Sequence, residues 1–181
     1  GCSCNPTFLI TVATATNYSS FNWATSGTGT FVNQTTLTPT YQPSAADFTA
    51  GSVVITLEVF SQSPCTQLVT DAMTLTLMNE PTANAGTDAS VCQGSTFMVV
   101  SASATNYNTL NWVSSGSGTF AGQTTINPVY TPSATDIANG SVILTLTATA
   151  SSPCNNAATD QMTLTIVRSA TASAGADASV C

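Results

Sequence analysis

The sequence predicts an all-β protein built as two tandem antiparallel β-sandwich modules. Three observations carry that prediction: a repeat of 89 residues, short apolar/polar alternations separated by Gly and Pro, and the near absence of charge among regularly spaced apolar residues. The repeat is plainest in Pro81–Cys92, Pro-Thr-Ala-Asn-Ala-Gly-Thr-Asp-Ala-Ser-Val-Cys, which returns at Ala170–Cys181 as Ala-Thr-Ala-Ser-Ala-Gly-Ala-Asp-Ala-Ser-Val-Cys. Tyr18 and Tyr107, Trp23 and Trp112, Cys65 and Cys154, and Met73 and Met162 keep the same separation. The period divides the chain into module one at residues 1–80, without its lead segment, module two at 81–170, and a tail at 171–181. Each module is large enough for a small sandwich core.

The chain of 181 residues holds one Arg, no Lys and no His, and its net charge is −7. That balance excludes the basic footprint needed for nucleic acid or anionic lipid. No apolar run approaches the roughly 18 residues of a membrane span, so no membrane insertion is expected. Thr-rich surfaces without Lys suit a secreted protein. There is no initiator Met and no signal peptide, which fits a removed leader or a window from a longer chain.

The modules read as strands throughout. Phe8–Thr16 and Phe97–Thr105 alternate after an apolar start. Phe21-Asn-Trp23 and Leu110-Asn-Trp112 set two large apolar residues on one strand face, so Trp23 and Trp112 are the expected centres of the two cores. In Ser26–Phe31 and Ser115–Phe120 the glycines are read as positive-φ turn residues. A phosphate loop would need a Lys and a following helix, and both are missing. Leu37–Pro43 and Ile126–Pro132 carry paired prolines and are expected at an edge or in an irregular crossing. Ser44-Ala-Ala-Asp47 and Ser133-Ala-Thr-Asp136 have the spacing of a capping box, predicting one helical turn up to Gly51 and Gly140. Asp47 and Asp136 are thus caps before they are calcium ligands, since calcium needs a cluster of oxygens. Ser52–Val59 and Ser141–Ala148 are the strongest strands, and Met73–Leu77 and Met162–Ile166 close each module.

Six cysteines without metal-type spacing point to disulfides in an oxidising compartment; no metal or other cofactor is expected. Cys92 precedes the first strong strand of module two and Cys154 its last, which predicts a Cys92–Cys154 bridge. The matching bridge in module one is Cys4–Cys65, with Cys2–Cys65 as the alternative. Such loops of about 60 residues would each stabilise a module by roughly 4 kcal/mol in the chain-entropy model. Cys2 and Cys181 are left at the two ends, as an inter-subunit disulfide or as a consequence of where the window falls.

The tail supplies a lead segment with no module after it: Thr171, Ala172, Ser173, Ala174, Gly175, Ala176, Asp177, Ala178, Ser179 and Val180. Either further modules follow, or the tail of one copy completes module one of the next by donor-strand complementation. A head-to-tail contact that does not close a ring makes a filament. The expected partners are copies of the chain or adjacent modules, with a host, prey or substratum surface beyond them.

The run Gly-Thr-Phe … Gln-Thr-Thr … Pro-x-Tyr-x-Pro-Ser-Ala-x-Asp … Gly-Ser-Val … Ser-Pro-Cys … Asp-x-Met-Thr-Leu-Thr occurs at 29–76 and 118–165. It resembles the immunoglobulin-like or PKD-like repeats of giant Bacteroidota surface proteins. The resemblance implies an immunoglobulin-like sandwich, an extracellular or cell-surface location, type IX secretion, and a structural role in an adhesin or filament used for attachment or capture. It implies no catalytic residues, and a chain without His or Lys offers a Ser nucleophile no ordinary base. The alternative is a carbohydrate- or ligand-binding accessory module of a larger secreted protein. That would use exposed aromatics, and the repeat-spaced Tyr18, Tyr41, Tyr107 and Tyr130 are expected in the cores instead. The Asn-x-Ser/Thr sequons at Asn17, Asn33 and Asn139 match what chance gives in a Thr-rich chain.

Overall fold

The structure, a computed structural model, describes residues 6–152 and 154–181. The fold is all-β, immunoglobulin-like and sandwich-forming, and the chain divides into two compact units. Unit 1 comprises residues 1–80 together with Ala150–Asn156, and unit 2 comprises Pro81–Thr149 and Ala157–Cys181.

Unit 1 runs β1 (Phe8–Leu9), β2 (Tyr18–Thr25), β3 (Thr30–Val32), β4 (Thr40–Gln42), α1 (Ala45–Ala50), β5 (Ser52–Ser61) and β6 (Leu68–Thr76). One sheet has the order β1-β4-β3 and the other β2-β5-β6, all antiparallel. Alternation along β5 places Val53, Ile55 and Leu57 on the inner face, where they meet Trp23, Tyr41 and Leu75.

Unit 2 runs β7 (Thr82–Asn84), β8 (Ala89–Cys92), β9 (Phe97–Met98), β10 (Ser103–Thr105), β11 (Thr109–Ser114), β12 (Thr119–Ala121), β13 (Val129–Thr131), α2 (Ala134–Asn139), β14 (Ser141–Thr149) and β15 (Ala157–Val167). Its sheets are β12-β13-β9 and β11-β14-β15-β8, with a β10-β7 ribbon beside them. The β8–β15 pairing is parallel and has no described counterpart in unit 1.

Two expectations are corrected. The continuous first strand is broken: residues 8–9 pair with β4, and the module-two equivalent splits into β9 and β10, which join different partners. The proline segment is central rather than an edge. Thr40–Gln42 lies between β1 and β3 because Pro39 and Pro43 sit just outside a ladder of three residues. Pro39 still contributes its carbonyl, which accepts from Ile10 N–H at 3.0 Å.

Each core is fastened by an aromatic file and a buried carboxylate. Phe31 bridges Trp23 and Tyr41 at centroid distances of 6.1 and 5.0 Å, and Phe120 bridges Trp112 and Tyr130 at 6.2 and 4.8 Å. The indole N–H of Trp23 donates to the Thr36 carbonyl at 3.0 Å, and that of Trp112 to Thr125 at 3.2 Å. Ser44 and Asp47 form the capping box of α1, and Ser133 and Asp136 that of α2; each helix ends on a left-handed glycine, Gly51 or Gly140.

Asp47 does more than cap. It is 2% exposed. Its carboxylate accepts from the N–H groups of Ser44 (2.9 Å), Thr28 (2.8 Å) and Gly29 (3.0 Å) and from the Tyr41 hydroxyl (2.8 Å). Asp136 repeats this with Ser133, Ser117 and Tyr130. This explains the Gly-x-Gly turns, and it corrects the positive-φ reading. Gly27, Gly29, Gly116 and Gly118 are not in the left-handed region. A Cβ at Gly27 would lie 2.4 Å from Asp47 Oδ1, and one at Gly118 would lie 2.4 Å from the Tyr130 hydroxyl. These glycines allow the close approach of backbone to carboxylate and phenol.

Burial alone would raise the Asp47 pKa, but the N–H donors of Ser44 and Thr28, the Tyr41 hydroxyl and the Gly29 N–H together lower it from 3.8 to about 2. Asp136 is lowered by the same kind of donors against the same burial. Burial, assisted by the neighbouring carboxylates, raises Tyr41 and Tyr130.

A folded-state pKa below the unfolded one stabilises above the unfolded pKa and loses that contribution as pH falls through the folded value. Asp47 should therefore contribute on the order of 2 kcal/mol above about pH 4, most of it lost by pH 2. Thermal unfolding from pH 7 to pH 2 is expected to show this loss, and Asp47→Asn should lower stability at pH 7 while flattening the acid limb.

Candidate functional site

The two units differ along one flank. In unit 2, residues 82–92 cover it. Thr82, Ala83 and Asn84 of β7 pair antiparallel with Thr105, Ala104 and Ser103. Gly86 (φ +93°) then turns the chain, its N–H donating to Asn84 Oδ1 at 2.8 Å. Ala89–Cys92 continue in parallel with Leu164–Val167. Two carboxylates pin the segment: Ala85 N–H donates to Asp160 Oδ2 at 2.7 Å, and Thr163 N–H donates to Asp88 Oδ1 at 2.7 Å. Ala85 is fully buried in the core.

In unit 1 the same flank is an open groove of about 450 Å³. Its floor includes Ile10, Trp23, Leu57 and Met73, and its rim includes residues 13–17 and Asp71. Residues 14–16, the equivalents of β10, form no strand. Met73 is only partly buried, whereas its equivalent Met162 is 2% exposed. Asp71, the equivalent of Asp160, is exposed and accepts no hydrogen bond among the described residues.

Thr171–Val180 are exposed and form no strand. The tail nevertheless holds the local turn of the lead segment. Gly175 has φ +84°, and its N–H donates to Ser173 Oγ at 3.3 Å, as Gly86 does to Asn84. Trp23 and Trp112 lie in the cores. Tyr41 and Tyr130 are fully buried, but Tyr107 is 41% exposed and Tyr18 half-buried, which corrects a core role for that pair. The repeat alone could not separate the two pairs, because all four tyrosines recur with it.

The cysteine pairings are corrected. Cys65 and Cys92 carry free thiols, as does Cys181, and all three are exposed. Cys92 ends β8 beside Val167, while Cys154 precedes Ala157 at the other end of β15. Ten residues of strand rise separate Val167 from Ala157, about 33 Å, against the roughly 4.4–6.8 Å between Cα atoms that a disulfide spans. The parallel pairing of β8, which the sequence did not signal, is the cause. Cys154 is buried in a small cluster with Ala150 and Met78 in unit 1; it is disulfide-bonded, and Cys92 is not its partner. Cys65, exposed on the loop between β5 and β6, forms neither the Cys4 nor the Cys2 bridge. Cys2 and Cys4 themselves lie outside the described residues.

Among the described residues no group of three His, Cys, Asp or Glu could hold a metal ion, and no helix is long and apolar enough to cross a membrane. No family model matches the sequence, and no curated protein matches it. Solved structures with similar β-sandwich repeats include the human desmocollin-1 ectodomain (15% identity over 82% of this chain and 35% of that one, TM-score 0.43). Others are human protocadherin-24 EC1-2 (12%, 88% and 87%, TM-score 0.45) and mouse cadherin-23 EC22-24 (11%, 81% and 54%, TM-score 0.47). The chain spans about a third of the desmocollin ectodomain and just over half of the cadherin-23 fragment.

Thiol labelling of the native protein should modify Cys65, Cys92 and Cys181 and spare Cys154 until the chain is reduced and unfolded. Peptide mapping by mass spectrometry checks this, and protection of Cys92 would contradict the β8 register.

Proposed function

We propose that this chain is a structural repeat unit of an extracellular bacterial filament or giant surface adhesin, joined head to tail and used for attachment or capture. One observation carries the reading: unit 1 has an open flank, and the chain presents an exposed segment matching the one that covers that flank in unit 2. The resemblance to Bacteroidota surface repeats supports the location. So does the hydroxyl-rich, almost uncharged sequence. A module whose binding surface is its own neighbour needs no catalytic group, cofactor or metal.

A ligand- or carbohydrate-binding accessory role is the second reading. It draws on exposed Tyr107 beside a shallow cavity of about 330 Å³ that also involves Leu110 and Ile126. An aromatic at such a rim can stack on an apolar ligand face.

Electron microscopy of the intact chain at increasing concentration is expected to show linear strings of sandwich-sized beads. Dispersed particles at every concentration would overturn the filament reading. A glycan-array hit lost in Tyr107→Ala would favour the second.

A further inference from the structure

We infer that the unit 1 groove is the receptor for Thr171–Ala178 of a second copy of this chain, in a register set by the 89-residue repeat. The inference rests on the head-to-tail reading and adds the atoms that make the joint. Residues 1–3 of the chain align with Ser90–Cys92. Thr82–Ala89, the part of the lead segment that crosses the flank of unit 2, aligns with Thr171–Ala178.

The register follows from unit 2. Thr171, Ala172 and Ser173 pair antiparallel with Thr16, Ala15 and Thr14, as Thr82–Asn84 do with Thr105–Ser103. Ala174 takes the place of fully buried Ala85 over Trp23 and Met73, and its N–H donates to the Asp71 carboxylate. Gly175 turns past Val12, where Gly86 passes so close to Ser101 that a Cβ would lie 2.2 Å from Ser101 Oγ. Asp177 then accepts from the Thr74 N–H on the outer edge of β6, as Asp88 does from Thr163. The two aspartates thus form a reciprocal lock, one on the receptor and one on the donor.

Three features fit this occupant. Small residues at 172 and 174 suit a groove whose floor is a Trp and a Met. Asp71 is exposed where its equivalent has a backbone partner. The tail already holds the Gly175 turn, so less conformational freedom is lost on docking. Backbone pairing supplies affinity and the side-chain pockets supply register. Because donor and receptor are different surfaces, the contact propagates.

The test uses the full chain with Cys181→Ser in place throughout, which removes any contribution from that thiol and keeps the Cys154 disulfide. Ala174→Arg kills the donor while leaving the groove intact, and Ala174 is exposed, so folding should be unaffected by circular dichroism. Sedimentation should show multimers of the unmodified chain and a monomeric Ala174→Arg variant. A synthetic peptide of residues 170–180 should bind that variant, and the same peptide carrying Ala174→Arg should not. Adding Asp71→Ala to the receptor should weaken peptide binding roughly ten- to hundredfold, the scale of a hydrogen bond to a charged group. Absence of peptide binding, or multimers of Ala174→Arg matching the unmodified chain, would overturn the inference. Filaments that persist in Ala174→Arg would sink this joint and leave the filament reading standing. A monomeric unmodified chain that refuses the peptide while Ala174→Arg accepts it would assign the groove to the chain's own tail, against a second copy.

Discussion

A β-sandwich is stable only if its core is covered on every flank, and here one flank depends on a segment that precedes the first strong strand. In unit 2 that segment buries Ala85 and Met162 and extends β15 with a parallel strand. Its cost in backbone order is offset by ladder bonds and by two carboxylate contacts to backbone N–H groups, from Asp88 and Asp160. Unit 1 shows the same sandwich with that flank open among the described residues, so Met73 is only partly buried and Asp71 is exposed along the groove. The two repeat-related modules differ most at this flank.

The rest of each module is closed locally. The Asp47 and Asp136 carboxylates connect the Gly-x-Gly turn, the central Tyr and the first turn of the short helix within about twenty residues of chain. A buried charge is tolerated because donors surround it: three N–H groups and a phenol for Asp47, two N–H groups and a phenol for Asp136. This latch is complete in both units, so the open flank of unit 1 does not arise from a defect in its core. Arg168, the one cation of the chain, plays a smaller part in unit 2. Its guanidinium donates to the Ile137 and Ala138 carbonyls near the end of α2, where positive charge is favoured.

Much of this was legible in the residues because it depends on near neighbours. The Ser-x-x-Asp spacing marked the capping boxes, apolar β-branched runs marked β5 and β14, and strict alternation marked the closing strands β6 and β15. What failed depended on distant partners. The prolines at 39 and 43 looked incompatible with a central strand, yet the ladder is short enough to fit between them. Glycines at 27 and 29 looked like turn residues, but what requires them lies farther along the chain: the Asp47 carboxylate against Gly27, and the Tyr41 ring and Gln42 carbonyl against Gly29. The cysteine pairing failed for the same cause, since a parallel β8 carries Cys92 to the far end of β15 from Cys154.

By itself, the sequence determined the period of 89, the all-β class, the helical turns and the recurrence of the lead segment at 170–181, because each is written in spacing along the chain. Only the tertiary structure decided that the lead segment lies over the core flank, that Ala85 is its buried anchor, and that the matching surface of unit 1 is a groove. Those facts are contacts between residues as many as 75 positions apart. Periodicity tells which face of a strand is apolar, but it does not say which strand arrives to cover it.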